Sequence, residues 1–245
     1  MFAYPMMEQV RSAIGMYEKS RSRAMDIGSV RGHLLRVLSN MAEQIHDPPK
    51  GGVNEIPVPA TVFILAGYSW LTNQFRTWML RYDKTNEQFG FASPPTLFGN
   101  QLCLAGDHVK DAKERIIQLL NKRKKRKGSG FDMEPFEVLR DMCRDDSIPE
   151  IGGAPQVLKI YRHMNTMPYA VYWPTRASKT VTFMGRPLLE YEMASYLVLD
   201  PDSLETFAFE PAISKAGKLS RSVEIRLEGV SAAAAVGDTA LKGSN

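Results

Sequence analysis

One stretch, Pro59 to Ile117, limits what this chain can fold into more than any other. An apolar run, Thr61-Val-Phe-Ile-Leu-Ala66, ends at Gly67. A run of alternating character follows, Arg76-Thr-Trp-Met-Leu-Arg-Tyr82, then a turn, Asp83-Lys-Thr-Asn86. A third run spans Glu87 to Phe91, and a fourth, Gln101-Leu-Cys-Leu-Ala105, stops at Gly106-Asp107, where a helical period starts at once. Short apolar runs bounded by turn residues read as strands, and a spacing of three and four reads as helix. The stretch therefore predicts strands joined by a hairpin, a glycine turn and a helix. Trp78, Leu80 and Tyr82 should share the more buried face of their strand.

The flanks extend this pattern. Met6, Val10, Ala13, Ile14 and Tyr17 form one helical stripe over residues 5–21, with Pro5 in the first turn. Ile27, Val30, Leu34, Leu38, Met41 and Ile45 form a second, with Asp26 or Ser29 as its cap. Asp47-Pro-Pro-Lys-Gly-Gly52 breaks it. After Gly106 a third stripe carries Val109, Ala112, Ile116, Leu119 and Leu120, and Asp107 should cap its start. A fourth helix starts near Asp132 or Glu134, with Phe136, Leu139, Met142 and Cys143 as its inner face. Strands are then expected over 156–161, 169–173, 180–184, 197–199, 206–209 and 223–227. The last residues, 229–245, lose their apolar period and read as a disordered tail, so a single domain should span 1–228. The order helix pair, strands, helix pair, strands gives an α+β protein with helices outside its sheets.

Composition narrows the function classes. The 245 residues carry a net charge of +4, and six of the 31 basic residues sit in one run, Lys122, Arg123, Lys124, Lys125, Arg126 and Lys127. Cations at a helix C-terminus complement its dipole. A nucleic-acid contact is the competing reading of the run, although no aromatic residue is interleaved to stack on bases. Cys103 and Cys143 fit buried thiols in a reducing compartment, and without a CxxC pair no structural zinc site is expected. His33, His46, His108 and His163 form no ligand spacing, and His33 falls on a polar flank. No Walker-type loop or Gly-x-Ser-x-Gly elbow occurs, so no cofactor is expected. There is no signal-peptide pattern and no apolar run long enough to span a bilayer, so a cytoplasmic protein without a membrane partner is the expectation.

Four local features resemble the proteasome β-subunit type of N-terminal-nucleophile hydrolase, over roughly residues 3 to 173. They are the two-helix opening, Val62-Phe-Ile-Leu-Ala-Gly67 followed by Trp78-Met-Leu-Arg-Tyr-Asp83, Leu102-Cys-Leu-Ala-Gly-Asp107 running into a helix, and Arg144-Asp-Asp-Ser147 followed by Gly152-Gly153 and a strand. The resemblance implies a four-layer αββα sandwich, with two antiparallel sheets inside and helix pairs outside. It also implies a peptidase or amidohydrolase subunit acting on peptide or amide bonds. In such enzymes the mature chain's first Thr, Ser or Cys attacks a carbonyl, and its own α-amine takes the proton. It makes Gly106, Asp107, Gly152 and Gly153 the turns that wall the site, and Asp107, Asp146 and Ser147 the candidate catalytic residues. Two details depart from the family: Ile151 precedes Gly152 where the family has Ser, and the Asp146 spacing is two residues longer.

The chain begins Met-Phe-Ala-Tyr-Pro, where the family's first helix begins. The expectation is an N-terminally incomplete sandwich, inactive as it stands. A truncated product, a separate chain that completes the sheet, and a degenerate subunit all stay open. An open sheet edge favours self-association or a partner chain. The competing function is a non-catalytic assembly or binding protein, touching nucleic acid through Lys122 to Lys127.

Overall fold

The computed structural model describes residues 3–22, 24–44, 62–83, 85–86, 88–125, 128, 130–162 and 165–209. All belong to one compact unit, Met1–Glu210. The strand expected over 223–227 and the tail expected over 229–245 lie outside the described residues.

The first helical stripe forms α1 (Ala3–Met16) and a short α2 (Glu18–Arg21). The single helix expected over 5–21 is thus broken at Tyr17, just after Gly15, a poor helix former. The second stripe forms α3 (Ile27–Gln44). Three strands follow: β1 (Phe63–Ser69), β2 (Gln74–Asp83) and β3 (Gln88–Ala92). They pair antiparallel in sequence order, with Leu65 opposite Trp78 and Leu80 opposite Phe91. Side chains alternate across a strand, so Phe63, Leu65, Trp78, Leu80, Tyr82, Phe89 and Phe91 share one face. Leu34 and Leu38 of α3 pack into it.

Gly67 does not end the first strand, as its sequence position suggests, but sits inside it opposite Arg76. A Cβ there would lie 2.7 Å from Cδ1 of Ile27. The glycine is what lets the first turn of α3 approach the sheet. On the other face of β1, the Arg162 guanidinium lies 5.6 Å from the Tyr68 ring centroid, so the turn that carries Arg162 reaches that face.

After a two-stranded turn, β4 (Thr96–Leu97) with β5 (Asn100–Gln101), the expected strand over 101–105 ends at Gln101. Leu102 to Ala105 run on without turn or bend but pair with no strand. Helices α4 (Val109–Lys122) and α5 (Glu134–Cys143) pack on each other through Ile116, Leu120, Val138 and Met142.

A second, mixed sheet joins β6 (Val157–Ile160), β7 (Thr166–Tyr172), β8 (Val181–Phe183), β9 (Arg186–Pro187), β10 (Val198–Leu199) and β11 (Thr206–Phe207). β10 runs parallel to β7, and the other pairs are antiparallel. Its core is Ala170, Val181 and Val198. Two arginines of the α5 region fasten the helix to this sheet. Arg140 donates to the Pro201 carbonyl at 2.7 Å, and Arg144 to Asp202 at 2.8 Å and to the Pro174 carbonyl. The protein is therefore a mixed α+β protein with several sheets.

Candidate functional site

The Leu102–Ala105 segment and the facing sides of α4 and α5 enclose a groove of about 680 Å³. The helical period explains the walls. Val109, Ala112 and Ile116 of α4 stand one turn apart on one face, as do Phe136, Leu139 and Cys143 of α5. The expected inner face of α5 thus lines the groove, and Leu139 stays 44% exposed there. Val138 and Met142 turn further inward, against α4.

Two turns close one end. Gly106 takes a φ of 108°, and His108 takes the left-handed conformation at φ 53° in the position before α4. No side chain caps that helix, so Asp107 does not play the capping role expected of it. From the other side come Glu150, Ile151 and Gly152. The His108 ring lies 3.2 Å from a Glu150 carboxylate oxygen and ties the two turns together. The Glu150 backbone N–H, together with that ring, holds the carboxyl below the usual range. Gly106, Asp107 and Gly152 all line the groove. Gly153, in a left-handed conformation at φ 78°, follows them without lining it.

Asp146 and Ser147 are not among the lining residues. The Ser147 hydroxyl donates to Asp145 at 2.5 Å, and its backbone N–H donates to the same oxygen at 3.1 Å. Arg115 reaches Asp145 at 3.5 Å and Asp111 at 3.1 Å. The Ser147 bonds, with Arg115 adding to them, hold the Asp145 carboxyl below its ordinary value. Two acids at the end of α5 oppose its dipole, and Arg115 is the basic neighbour that answers one of them. A hydroxyl that donates only to a carboxylate held below its ordinary value has too weak a base beside it to be an activated nucleophile.

Both cysteines line the groove, which the sequence reading missed. Their signal was available: Cys103 sits in an apolar run that ends at Gly106, and Cys143 falls on the apolar stripe of its helix. Burial raises both thiols, with Arg81 partly offsetting the rise at Cys103.

The basic run is partly spent inside the fold. Arg123 donates to both carboxylate oxygens of Glu137 at 2.7 Å, and Lys125 lies 3.3 Å from Glu134. Glu134 is only 3% exposed and also accepts the Asp132 N–H at 2.7 Å. Burial works against its charge, but these donors hold its carboxyl below the usual range. The run therefore anchors the start of α5. Lys122 and Lys124 are exposed, and Arg126 and Lys127 lie outside the described residues.

A second carboxylate–serine pair is buried outside the groove lining. Asp26 caps α3, accepting from the Gly28 N–H at 2.9 Å, the Ser69 hydroxyl at 3.1 Å and the Leu71 N–H at 3.4 Å. Burial pushes its carboxyl up, and these bonds outweigh it, leaving the group below its ordinary value. His33 is not a solvated flank residue: it stacks on Tyr17 with ring centroids 5.1 Å apart, and its Nε2 is buried. His46 and His163 lie outside the described residues. Among the described residues no three His, Cys, Asp or Glu side chains form a metal-binding group, and no helix is long and apolar enough to cross a membrane.

Comparison of the chain with protein-family models, with curated proteins and with solved structures returned no match.

Proposed function

We propose that this chain is a proteasome-β-like, N-terminal-nucleophile amide-hydrolase subunit whose described residues supply the walls of the site but no activated nucleophile. One observation carries the reading: the Gly106–Asp107 and Glu150–Gly152 turns, distant in sequence, line one groove and are bridged by His108 and Glu150. These are the turns that the family places beside its reacting carbonyl. The architecture that goes with this reading is the four-layer αββα sandwich. It is supported by α3 on one face of β1 and Arg162 over Tyr68 on the other, and by α5 fastened to the second sheet through Arg140 and Arg144.

In such a site a nucleophile attacks the amide carbonyl, the amine leaves, and water hydrolyses the acyl-enzyme. Among the described residues the groove offers only two thiols that burial keeps protonated, and no imidazole lines it. The pure chain should therefore not hydrolyse fluorogenic peptide amides or simple amides. Turnover by the pure protein would overturn the assignment of walls without a nucleophile. An experimental structure tests the architecture, which requires β1–β3 and β6–β11 to stack face to face.

The competing reading, a non-catalytic binding protein, draws on the uncovered groove. A nucleic-acid role for the basic run has less support, because Arg123 and Lys125 are held by Glu137 and Glu134.

A further inference from the structure

We propose that the groove between α4, α5 and Leu102–Ala105 receives one extended strand of a partner polypeptide, apolar at alternate positions and basic at the end that reaches Asp107. The inference concerns the same groove as the hydrolase reading and names its occupant, but it stands on the groove alone.

The backbone makes the first argument. The Leu102 N–H donates to the Pro95 carbonyl at 3.0 Å, which pairs one group on that side of the segment. Cys103, Leu104 and Ala105 make no backbone hydrogen bond among the described residues. Amides alternate in direction along an unbent segment, so the Cys103 and Ala105 N–H groups face away from Pro95. Cys103 is half-buried and Ala105 exposed, and a backbone group left unpaired away from water, as at Cys103, is rare in folded proteins. A second extended backbone supplies the missing donors and acceptors in kind, as in strand addition to a sheet edge.

The walls make the second. A groove of about 680 Å³ falls within the range of roughly 300–1,000 Å³ in which proteins hold specific ligands. Its sides are apolar, and Leu139 stands 44% exposed on a helix face that nothing described covers. An extended strand sends every second side chain to one face. Those side chains fill the groove while the others face outward.

The rim makes the third. Asp107 and Glu150 are the charged residues lining the groove, and both are acidic. Glu150 is engaged by His108, whereas Asp107 has no ion-pair partner among the described residues. A lysine or arginine at that end of the strand complements them.

Other occupants satisfy less. A second copy pairing edge to edge through the same segment would bond the backbones and leave both grooves unfilled. A small apolar molecule would fill the groove and leave the amides unpaired.

The test is selection of short random peptides on the purified full chain, followed by fluorescence anisotropy with the enriched peptides. Enriched peptides should alternate apolar and polar residues and carry Lys or Arg at one end. Affinity should fall about tenfold or more in Leu139→Glu, which charges the wall, and in Ala105→Pro, which removes one outward N–H. Both variants should keep the parent's circular dichroism and melting. Bound peptide should slow maleimide labelling of Cys103 and Cys143. No enrichment, or binding indifferent to both variants, overturns the proposal. Loss with Leu139→Glu but not with Ala105→Pro overturns the strand and leaves an apolar ligand pocket. Thiols protected by self-association, and released by Ala105→Pro, would assign the edge to a second copy instead. Amide turnover by the pure chain would overturn the assignment of walls without a nucleophile while leaving this result untouched.

Discussion

The two helix layers of this protein were built by the same sequence rule and ended differently. α3 and α5 each carry an apolar stripe one side wide. Under α3 the stripe meets three strands, and Leu38 and Leu80 are each 2% exposed. Under α5 the stripe meets a groove, and Leu139 is 44% exposed. An amphipathic helix records that it needs a partner surface, not whether this chain provides one. The first layer should therefore carry stability, and the second should be free for recognition.

The widest gap between the two layers should appear in urea denaturation. Leu80→Ala should cost about 2–5 kcal/mol, as removal of a buried leucine does. Leu139→Ala should stay within about 1 kcal/mol of the parent. Equal losses would mean that the groove is core, and the comparison would break.

Next in size is Asp26→Ala. It strips the Ser69 hydroxyl and the Gly28 N–H of their acceptor, at a cost of about 1–3 kcal/mol. The sign with pH follows from a carboxyl held low in the fold. Its contribution is present above the ordinary value of about 3.9 and is lost as pH falls through the lowered one. The parent should lose stability in that acid window, and the variant should lose less. A variant with the parent's acid profile would remove Asp26 from the account of the first layer.

Gly67→Ala should cost about 1 kcal/mol, because the new methyl meets Ile27 Cδ1 at 2.7 Å and Cγ1 at 2.8 Å. A neutral result in thermal melts would show that α3 can lift off the sheet. The smallest effect is kinetic. Cys103 and Cys143 should both label with a small maleimide in the native state, slowly at neutral pH. Burial raises both thiols, so the rates should keep climbing with pH beyond about 8.5, where those of a free thiol level off. Labelling that waits for unfolding would mean the groove is closed.

The sequence was most legible where neighbours within one turn decide the outcome. The stripes of α3 and α4, the Asp83 turn and the alternation of Trp78, Leu80 and Tyr82 come through. It was least legible where a distant residue decides. Gly67 reads as a stop because glycine ends strands, yet Ile27 is what requires it. Leu102–Ala105 reads as a strand because its residues favour one, yet a strand also needs a second chain segment beside it. Asp107 has the right chemistry for a cap, but the left-handed His108 takes the position before the helix. Ser147 neighbours two aspartates in sequence, and only the fold shows that it donates to Asp145. The basic run reads as cations at the end of a helix, and only the fold sets Glu137 beside Arg123 and Glu134 beside Lys125.

Asp26 has one more consequence. It holds the first turn of α3 and the turn after β1 at a single point, and the 18 residues of the helix extend about 27 Å beyond it. Such a helix is fixed by hydrogen bonds at its start and by the packing of Leu34 and Leu38 along its length. Substitutions near Asp26 should change the angle at which α3 crosses the sheet, and the far end near Met41 should move most. Substitutions near Met41 should disturb only their own surroundings.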